Sequence, residues 1–439
     1  MRLLASALVL AAAIGPTFAQ PVDAPKRPPS RPADRVNWWN DRVFYQVFVR
    51  SFADSTTGPL AGDGIGDIQG LIEHLDYLND GNPETTTDLG VGAISLMPIH
   101  PSPSYHGYDV IDFVEVNPQY GTIKDFKRLI AECHRRGINV IIDLVLNHIA
   151  SEHQWFKDAA DPKSDKRDFF IWSDTDPGWK GPWSQTVWHR LAPTGPVAED
   201  RFYYGLFSSS MPDLNLRNPA VNEGMRAVTH LWLSKYGADG FRLDAAAHLI
   251  EEGQAQANTA ATHAWLHNWY LEFKGVNLDA LSIGEVAVGS EQASTYVGDE
   301  VDMTYEFPLA EAMIASVKAG TKNALVAAQK KVLDLCRPNQ YGRFLSNHDQ
   351  TRVMTQLGGD IGAMRCAAAL LLTGPGVPFI YYGEEIGMTG DKPDENIRTP
   401  MQWSDKAGAG FTSGNPWAAV NTGFEVNNVE RQRAEPDSC

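Results

Sequence analysis

The stretch Val140-Ile-Ile-Asp-Leu-Val-Leu146 is apolar at almost every position. A strand with one face in water alternates apolar and polar residues. A strand without that alternation must be covered on both faces, as in a parallel sheet flanked by helices. Comparable short runs recur at 43–49, 93–98, 240–244, 281–285, 301–305, 342–346 and 377–382. Segments with helical spacing lie between them, for example at 123–136, 221–236, 310–318 and 361–372. Eight strand–helix alternations predict an α/β fold, a closed (β/α)8 TIM barrel rather than an open doubly wound sheet. The units share no periodic sequence, which excludes a repeat array.

The rhythm breaks between Ile149 and about Gly205. Here Pro, Gly and Asp accompany five tryptophans, at 155, 172, 179, 183 and 188. That aromatic density predicts a small folded domain inserted after the third strand rather than a long loose loop. The expected organisation is a barrel over 37–149 and 206–429, with the insertion over 150–205.

The first 19 residues carry Arg2, an apolar stretch from Leu3 to Ile14 and the small-x-small site Thr17-Phe-Ala19. They read as a signal peptide, implying a secreted or periplasmic protein. Residues 20–36 hold five prolines and no apolar period, the pattern of an extended linker. The remaining chain has no run long enough to span a membrane. Lys plus Arg number 37 against 54 Asp plus Glu, a net charge of −17. So acidic a chain is ill suited to nucleic acid or anionic lipid, and a neutral ligand is expected. The four cysteines, Cys133, Cys336, Cys366 and Cys439, are too far apart for a zinc motif. Cys133 falls in a helical pattern and is expected to be a small buried side chain.

In such a barrel the chemistry sits at the carboxyl ends of the strands. Asp143 and Asn147-His148 end the third predicted strand, and Arg242 and Asp244 the fourth. Glu285 ends the fifth, and Asn347-His348-Asp349 follow the seventh. Each alone is compatible with a helix cap or a solvated loop acid. Together they predict one rim carrying Asp244, Glu285 and Asp349. Clustered carboxylates split their pKa values, so that one stays protonated while another is ionised, as glycoside cleavage requires. Arg242 is two residues from Asp244, hence on the same strand face, where its charge favours an ionised Asp244. The same pair is also readable as an ion pair tying the rim together. The turn Asp63-Gly-Ile-Gly-Asp67, with Asp54 upstream, suits Ca²⁺ or is a plain polar turn. A Gly-x-Ser-x-Gly elbow, a P-loop and a dinucleotide fingerprint are absent, which demotes esterase, ATPase and dehydrogenase readings.

From about Asp41 to Asn421 these motifs resemble the α-amylase family of glycoside hydrolases, family 13. Asp143-Leu-Val-Leu-Asn147-His148 is similar to the first conserved region of that family. Gly240-Phe-Arg242-Leu-Asp244 resembles the second, Gly284-Glu285-Val the third, Phe344-Leu-Ser-Asn347-His348-Asp349 the fourth and Met211-Pro-Asp213-Leu-Asn215 the fifth. The resemblance implies that Asp244 is the nucleophile, Glu285 the general acid/base and Asp349 the transition-state stabiliser. It implies that Arg242, His148 and His348 line the subsite of the attacked glucose, that Tyr108 stacks on that sugar, and that His248 and Arg398 also bind substrate. It makes the insertion a domain B. Asp54, Asp63, Ile65 and Asp67 resemble a calcium site of some members, and Asn147 matches a second calcium position. A structural Ca²⁺, an α-glucan substrate and a monomer are therefore expected.

Specificity is divided. Tyr105-His106 before Gly107-Tyr108 is similar to endo-acting α-amylases, whereas exo-acting α-glucosidases tend to be acidic at the position of Tyr105. Met211 leans towards neopullulanase-like and intermediate amylases. Arg398-Thr-Pro-Met-Gln-Trp403 resembles oligo-1,6-glucosidases and trehalose synthases too, and Ala247 stands where many α-amylases have a leaving-group-side Lys. The expected activity is α-1,4-endohydrolysis. A transglycosylating or α-1,6-active relative, a non-catalytic glucan-binding relative and an inactive fragment are the other readings. Family members continue with an eighth helix and a β-sandwich. Residues 430–439 resemble only the start of that helix, so the resemblance implies that these parts are missing here.

Overall fold

The computed structural model describes residues 37–191 and 201–435. The expected signal peptide, the Pro-rich linker and Cys439 lie outside the described residues.

Eleven strands are present among the described residues. Three open the chain: β1 (Phe44–Val47), β2 (Ala93–Leu96) and β3 (Asn139–Leu144). The three short strands β4 (Trp172–Ser173), β5 (Trp188–Arg190) and β6 (Phe202–Tyr204) follow. Then come β7 (Gly240–Leu243), β8 (Leu281–Gly284), β9 (Met303–Tyr305), β10 (Tyr341–Arg343) and β11 (Val377–Tyr381). Strands β1, β2, β3, β7, β8, β9, β10 and β11 close into a barrel in that order, every pairing parallel. The expected TIM barrel is thus the observed fold, with one barrel strand in each of the eight predicted runs.

The two-residue period of a strand explains how the barrel acquires an apolar floor and a polar mouth. Phe44, Ala93, Ile141, Leu281, Ile283, Met303, Phe344, Val377 and Phe379 form one buried cluster. Advancing two residues from Ile141 gives Asp143, and from Ile283 gives Glu285. On β7 the same step leads from Gly240 to Arg242 and then Asp244. Gly240 has a separate reason to be glycine: a Cβ there would stand 2.1 Å from the carbonyl oxygen of Leu281 on the neighbouring strand. The alternate residues of β3, Val140, Ile142 and Leu144, point outward into the core shared with the helices.

The helix Ile123–Arg135 shows why the covering elements form. Thr122 and Asp125 make a reciprocal capping box, and Phe126, Leu129, Ile130 and Cys133 recur on one buried face. The 221–236 segment differs from the single helix expected. It is an α-helix over Pro219–His230 that passes into a wider π-turn over Leu231–Tyr236 and stops at Gly237, whose φ is +87°. Within the widened turn Trp232 is buried and its indole N–H donates to the carbonyl of Phe113 (2.7 Å). No sequence period reports that local requirement.

Between β3 and β7 the three short strands pair antiparallel in the order β4–β6–β5. Bridges His148–Asp213 and Phe170–Leu214 tie this sheet's surroundings to the barrel mouth. Phe156, Trp172 and Tyr203 pack together, as do Trp179, Trp188 and Tyr204. Among the described cysteines, Cys133 and Cys336 are buried, Cys366 is exposed, and all three are free thiols.

Candidate active site

Register fixes the centre of the mouth. Asp143 of β3 pairs with Arg242 of β7, which pairs with Ile283 of β8, two residues before Glu285. The buried Arg242 guanidinium therefore meets three carboxylates. Its Nη1 donates to Asp244 Oδ1 (2.6 Å) and to Asp143 Oδ1 (2.9 Å) and Oδ2 (3.0 Å). Its Nη2 lies 2.9 Å from Glu285 Oε2. Burial works against the charge on Arg242, but Asp143 and Glu285 outweigh it and hold the guanidinium charged far beyond its ordinary range.

The residue after Asp244 carries unusual backbone geometry. Ala245 has φ +48°, a left-handed conformation disfavoured for a residue with a Cβ. Its N–H donates to Glu285 Oε2 (3.0 Å). The turn thus directs a backbone donor at one catalytic candidate immediately after presenting the other.

A second set approaches from β10. His348 Nδ1 lies 3.1 Å from Gln46 Nε2, and Nε2 lies 2.6 Å from the Tyr108 hydroxyl and 3.0 Å from Asp349 Oδ2. The tautomer that satisfies all of these accepts from Gln46 at Nδ1 and donates from Nε2. Tyr108 can then donate to Asp143 Oδ2 (3.0 Å), and its ring stacks on His348 at 5.4 Å. Arg398 donates from Nε to the His348 carbonyl (2.8 Å), and from Nη2 to Asp349 Oδ1 (2.8 Å) and Asp394 Oδ2 (3.0 Å). His148 is buried, and its Nε2 has no hydrogen-bond partner among the described residues. Burial lowers the His148 pKa to about 4, so its ring is neutral near pH 7.

The acids are pushed apart. Burial raises Glu285, and the neighbouring charges of Asp244 and Asp349 raise it further, against the pull of Arg242. Burial likewise pushes Asp143 up. Desolvation opposes ionisation of Asp349, but His348 and Arg398 overcome it and hold that carboxyl well below its usual range. One rim therefore combines a carboxyl favoured as acid with one favoured as anion.

Asp244, Glu285, Asp349, Tyr108, His148, His248 and Arg398 all line a single cleft of about 350 Å³. Arg242 and His348 lie beneath it, bonded to those residues. His248 Nδ1 is 2.8 Å from the Gln256 carbonyl. The nine catalytic and substrate-binding candidates are thus brought together. Sequence reasoning did not select Asp143 for the site, although it ends a predicted strand, and it missed Gln46, Asp394, Trp183 and Phe207. Asp394 had one usable signal, its position four residues before Arg398 on the turn Asp394–Ile397.

The sequence model of the alpha amylase catalytic domain matches residues 46–439. The chain belongs to the α-amylase family of glycoside hydrolases, family 13. Alpha-amylase 3 of Dictyoglomus thermophilum is 40% identical over 373 residues, covering 84% of this chain and 68% of that protein. An oligo-1,6-glucosidase of Parageobacillus thermoglucosidasius is 31% identical over 479 residues, covering 91% and 81%. The crystal structure of an α-amylase from H. orenii superposes with a TM-score of 0.82 at 44% identity, covering 91% of this chain and 79% of that one. This α-amylase-family chain is accordingly an enzyme of the glycoside hydrolase type, and its family implies α-glucan substrates.

The expected calcium ligands carry hydrogen bonds within the protein. Asp54 Oδ1 accepts from Gly62 N–H (2.9 Å), and Oδ2 accepts from Gly64 N–H (2.9 Å) and the Thr412 hydroxyl. Asp67 caps the helix Ile68–Glu73, taking Gly70 N–H at Oδ1 (2.7 Å) and the Ser55 hydroxyl at Oδ2 (2.7 Å). Asp63 accepts from the N–H of Ile65 (2.8 Å). These oxygens face N–H and O–H donors, whereas a Ca²⁺ cage turns several oxygens towards one point. At the second position the Asn147 amide donates to the His248 carbonyl (2.8 Å), and Asn147 Oδ1 faces His148 Nδ1 (3.1 Å). Among the described residues no three His, Cys, Asp or Glu side chains gather to hold a metal ion. Asp54, Asp63, Ile65, Asp67 and Asn147 are thus parts of hydrogen-bonded turns. Dialysis against EDTA is expected to leave the melting temperature within about 1 °C of its starting value. A fall of roughly 5 °C, restored by Ca²⁺, would show that the loop reorganises around an ion.

Proposed function

We propose that this enzyme hydrolyses α-1,4-glucosidic bonds within starch-type α-glucans by a retaining double displacement. The observation carrying this reading is the sharing of one guanidinium by Asp244 and Glu285, at 2.6 and 2.9 Å. That short tether suits the about 5–5.5 Å carboxyl separation of retaining pairs better than the wider inverting arrangement.

In the first step Asp244 attacks the anomeric carbon. Arg242 engages its Oδ1, and Oδ2 takes no hydrogen bond from the described residues, which leaves that oxygen available. Glu285, whose protonated form is favoured by burial, gives its proton to the departing glycosidic oxygen. Asp349, held as an anion, accepts hydrogen bonds from sugar hydroxyls as positive charge develops at the ring. His148 Nε2, which has no partner among the described residues, can accept a hydrogen bond from a further sugar hydroxyl. In the second step Glu285, now ionised, takes a proton from water as that water displaces Asp244, and the α configuration is restored.

Endo-action is supported by the open cleft and by Tyr105, which stacks on Trp417 at 5.4 Å and is a neutral residue beside Arg398. The similarity to an oligo-1,6-glucosidase and the segment Arg398–Trp403 favour an α-1,6-active or transglycosylating enzyme as the second reading. Export follows from the pattern of residues 1–19 and belongs to the same proposal.

Incubation with soluble starch, pullulan and maltose, followed by chromatography, separates the readings. Rapid shortening of starch to maltooligosaccharides is expected, with Asp244→Asn lowering kcat by at least about 10³-fold. Glucose from maltose without shortening of starch would favour an α-glucosidase, and conversion of maltose to trehalose would favour the second reading.

The pH profile has a definite sign. Glu285 must be protonated for bond cleavage, and its pKa is raised, so kcat/KM on maltooligosaccharides should fall on the alkaline side above the ordinary glutamate range. α-D-Glucosyl fluoride, whose leaving group needs no proton, should lose that limb when glycosylation is measured. An identical alkaline limb for both substrates would remove Glu285 from the acid role.

A further inference from the structure

Three residues after Asp349 stands a second arginine that the proposed mechanism does not use. Arg352 is fully buried and does not line the cleft. Its Nε donates to the Ile397 carbonyl (3.0 Å) and its Nη1 to the Tyr382 carbonyl (2.8 Å). The guanidinium carbon lies over two rings, 4.5 Å from the centre of Tyr381 and 4.8 Å from that of Tyr382. Burial pushes Glu384 up to about 7 and raises Glu385 as well, and the charge of Arg352 opposes both rises. A buried guanidinium is costly to keep unless such partners surround it.

The groups that Arg352 holds lead into the site. Ile397 immediately precedes Arg398, so its carbonyl belongs to the peptide unit that enters Arg398. The Tyr381 hydroxyl donates to the same carbonyl (3.0 Å). On the far side, the Arg398 carbonyl accepts from the Ser51 hydroxyl (2.5 Å). The loop bearing His348 and Asp349 is closed by Val353 N–H, which donates to the Ser346 hydroxyl oxygen (3.3 Å). That hydroxyl donates in turn to the buried Glu384, whose other oxygen accepts from Tyr381 N–H (3.1 Å). Arg352 N–H itself donates to the Gly390 carbonyl (2.9 Å). The loop after β10, the end of β11 and the peptide before Arg398 therefore meet at one guanidinium.

We propose that Arg352 is a positioning residue for the reaction: it touches no sugar, and it sets the Asp349–Arg398 contact by tying the loop of one to the backbone of the other. That contact is 2.8 Å long, and Arg398 joins His348 in keeping Asp349 an anion. An anion placed there stabilises the positive charge that develops on the attacked glucose, and a displacement on the order of 1 Å forfeits much of the effect. Lysine is no substitute for Arg352. Its ammonium is a compact donor on a flexible stem, whereas the planar guanidinium aims Nε and Nη1 at carbonyls of two different segments. The inference deepens the α-glucan reading and rests on it.

The test measures fluoride release from α-D-glucosyl fluoride, which occupies only the site of the attacked glucose. Arg352→Lys should lower kcat by about 30-fold with KM changed by less than about threefold, because the wall acts on charge that develops in the transition state. In the Arg398→Ala background, where the contact is already lost, Arg352→Lys should cost no more than about a further twofold. A residue that merely supported the fold would cost the same in both backgrounds. That outcome, or an unchanged kcat in Arg352→Lys alone, overturns the proposal. Tyr381→Phe removes one hydroxyl from the Ile397 carbonyl and keeps Arg352 in place, so it decides the matter if Arg352→Lys does not fold. It should lower kcat about threefold in the otherwise wild-type enzyme and leave it unchanged in Arg398→Ala. Equal losses in the two backgrounds, or no loss in either, count against the proposal. Failure of the wild type to release fluoride strikes instead at the α-glucan reading itself.

Discussion

One guanidinium holds this site together. Arg242 is almost wholly buried, and an isolated buried charge would cost several kcal/mol. It is tolerated because Asp143, Asp244 and Glu285 surround it, and each of those is in turn set by the strand it ends. The parallel register of β3, β7 and β8 therefore matters chemically as well as structurally. A slip of one residue would turn Asp143 or Glu285 out of the barrel and leave Arg242 facing apolar side chains. Removal of the arginine would leave three clustered carboxyl groups without their shared donor, so the network ties foldedness of the mouth to competence for chemistry.

The barrel separates two tasks along its axis. Its floor is a cluster of Phe, Ile, Leu and Met side chains that supplies burial. Its mouth, reached by continuing the same strands two residues further, contains acids, an arginine and histidines. Strain is placed at the junction, where Ala245, whose N–H meets Glu285, adopts a left-handed conformation directly after Asp244. The inserted segment adds the exposed indole of Trp183 to the lining of the cleft, a surface that the barrel strands themselves do not supply.

Much of this was legible in the sequence because it is local. Continuous apolar runs mark doubly covered strands, and the polar residues ending them mark the mouth, so Asp244, Glu285 and Asp349 could be placed on one rim before any coordinates. Partnerships between distant loops were not legible. Nothing in the chain order announces that Arg398 bridges Asp349 and Asp394, or that Trp183 reaches Phe207 and His248. The Asp63–Asp67 turn shows a different limit. Aspartates among glycines suit both a cation and a ring of backbone amides, and only three-dimensional placement shows Asp54 taking the N–H groups of Gly62 and Gly64. The π-turn at Leu231–Tyr236 likewise answers to the packing of one tryptophan rather than to a sequence period.

The role of the Arg242-centred pair is tested most directly by trapping. A 5-fluoro-α-D-glucosyl fluoride reacts as a glycosyl donor but slows the second displacement, so a covalent intermediate should accumulate. Peptide mass spectrometry is expected to find one fluoroglucosyl group on the carboxylate of Asp244. A label on Glu285 or Asp349, or turnover that releases β-configured product with no label, would contradict the assignment of Asp244 as nucleophile beside a protonated Glu285.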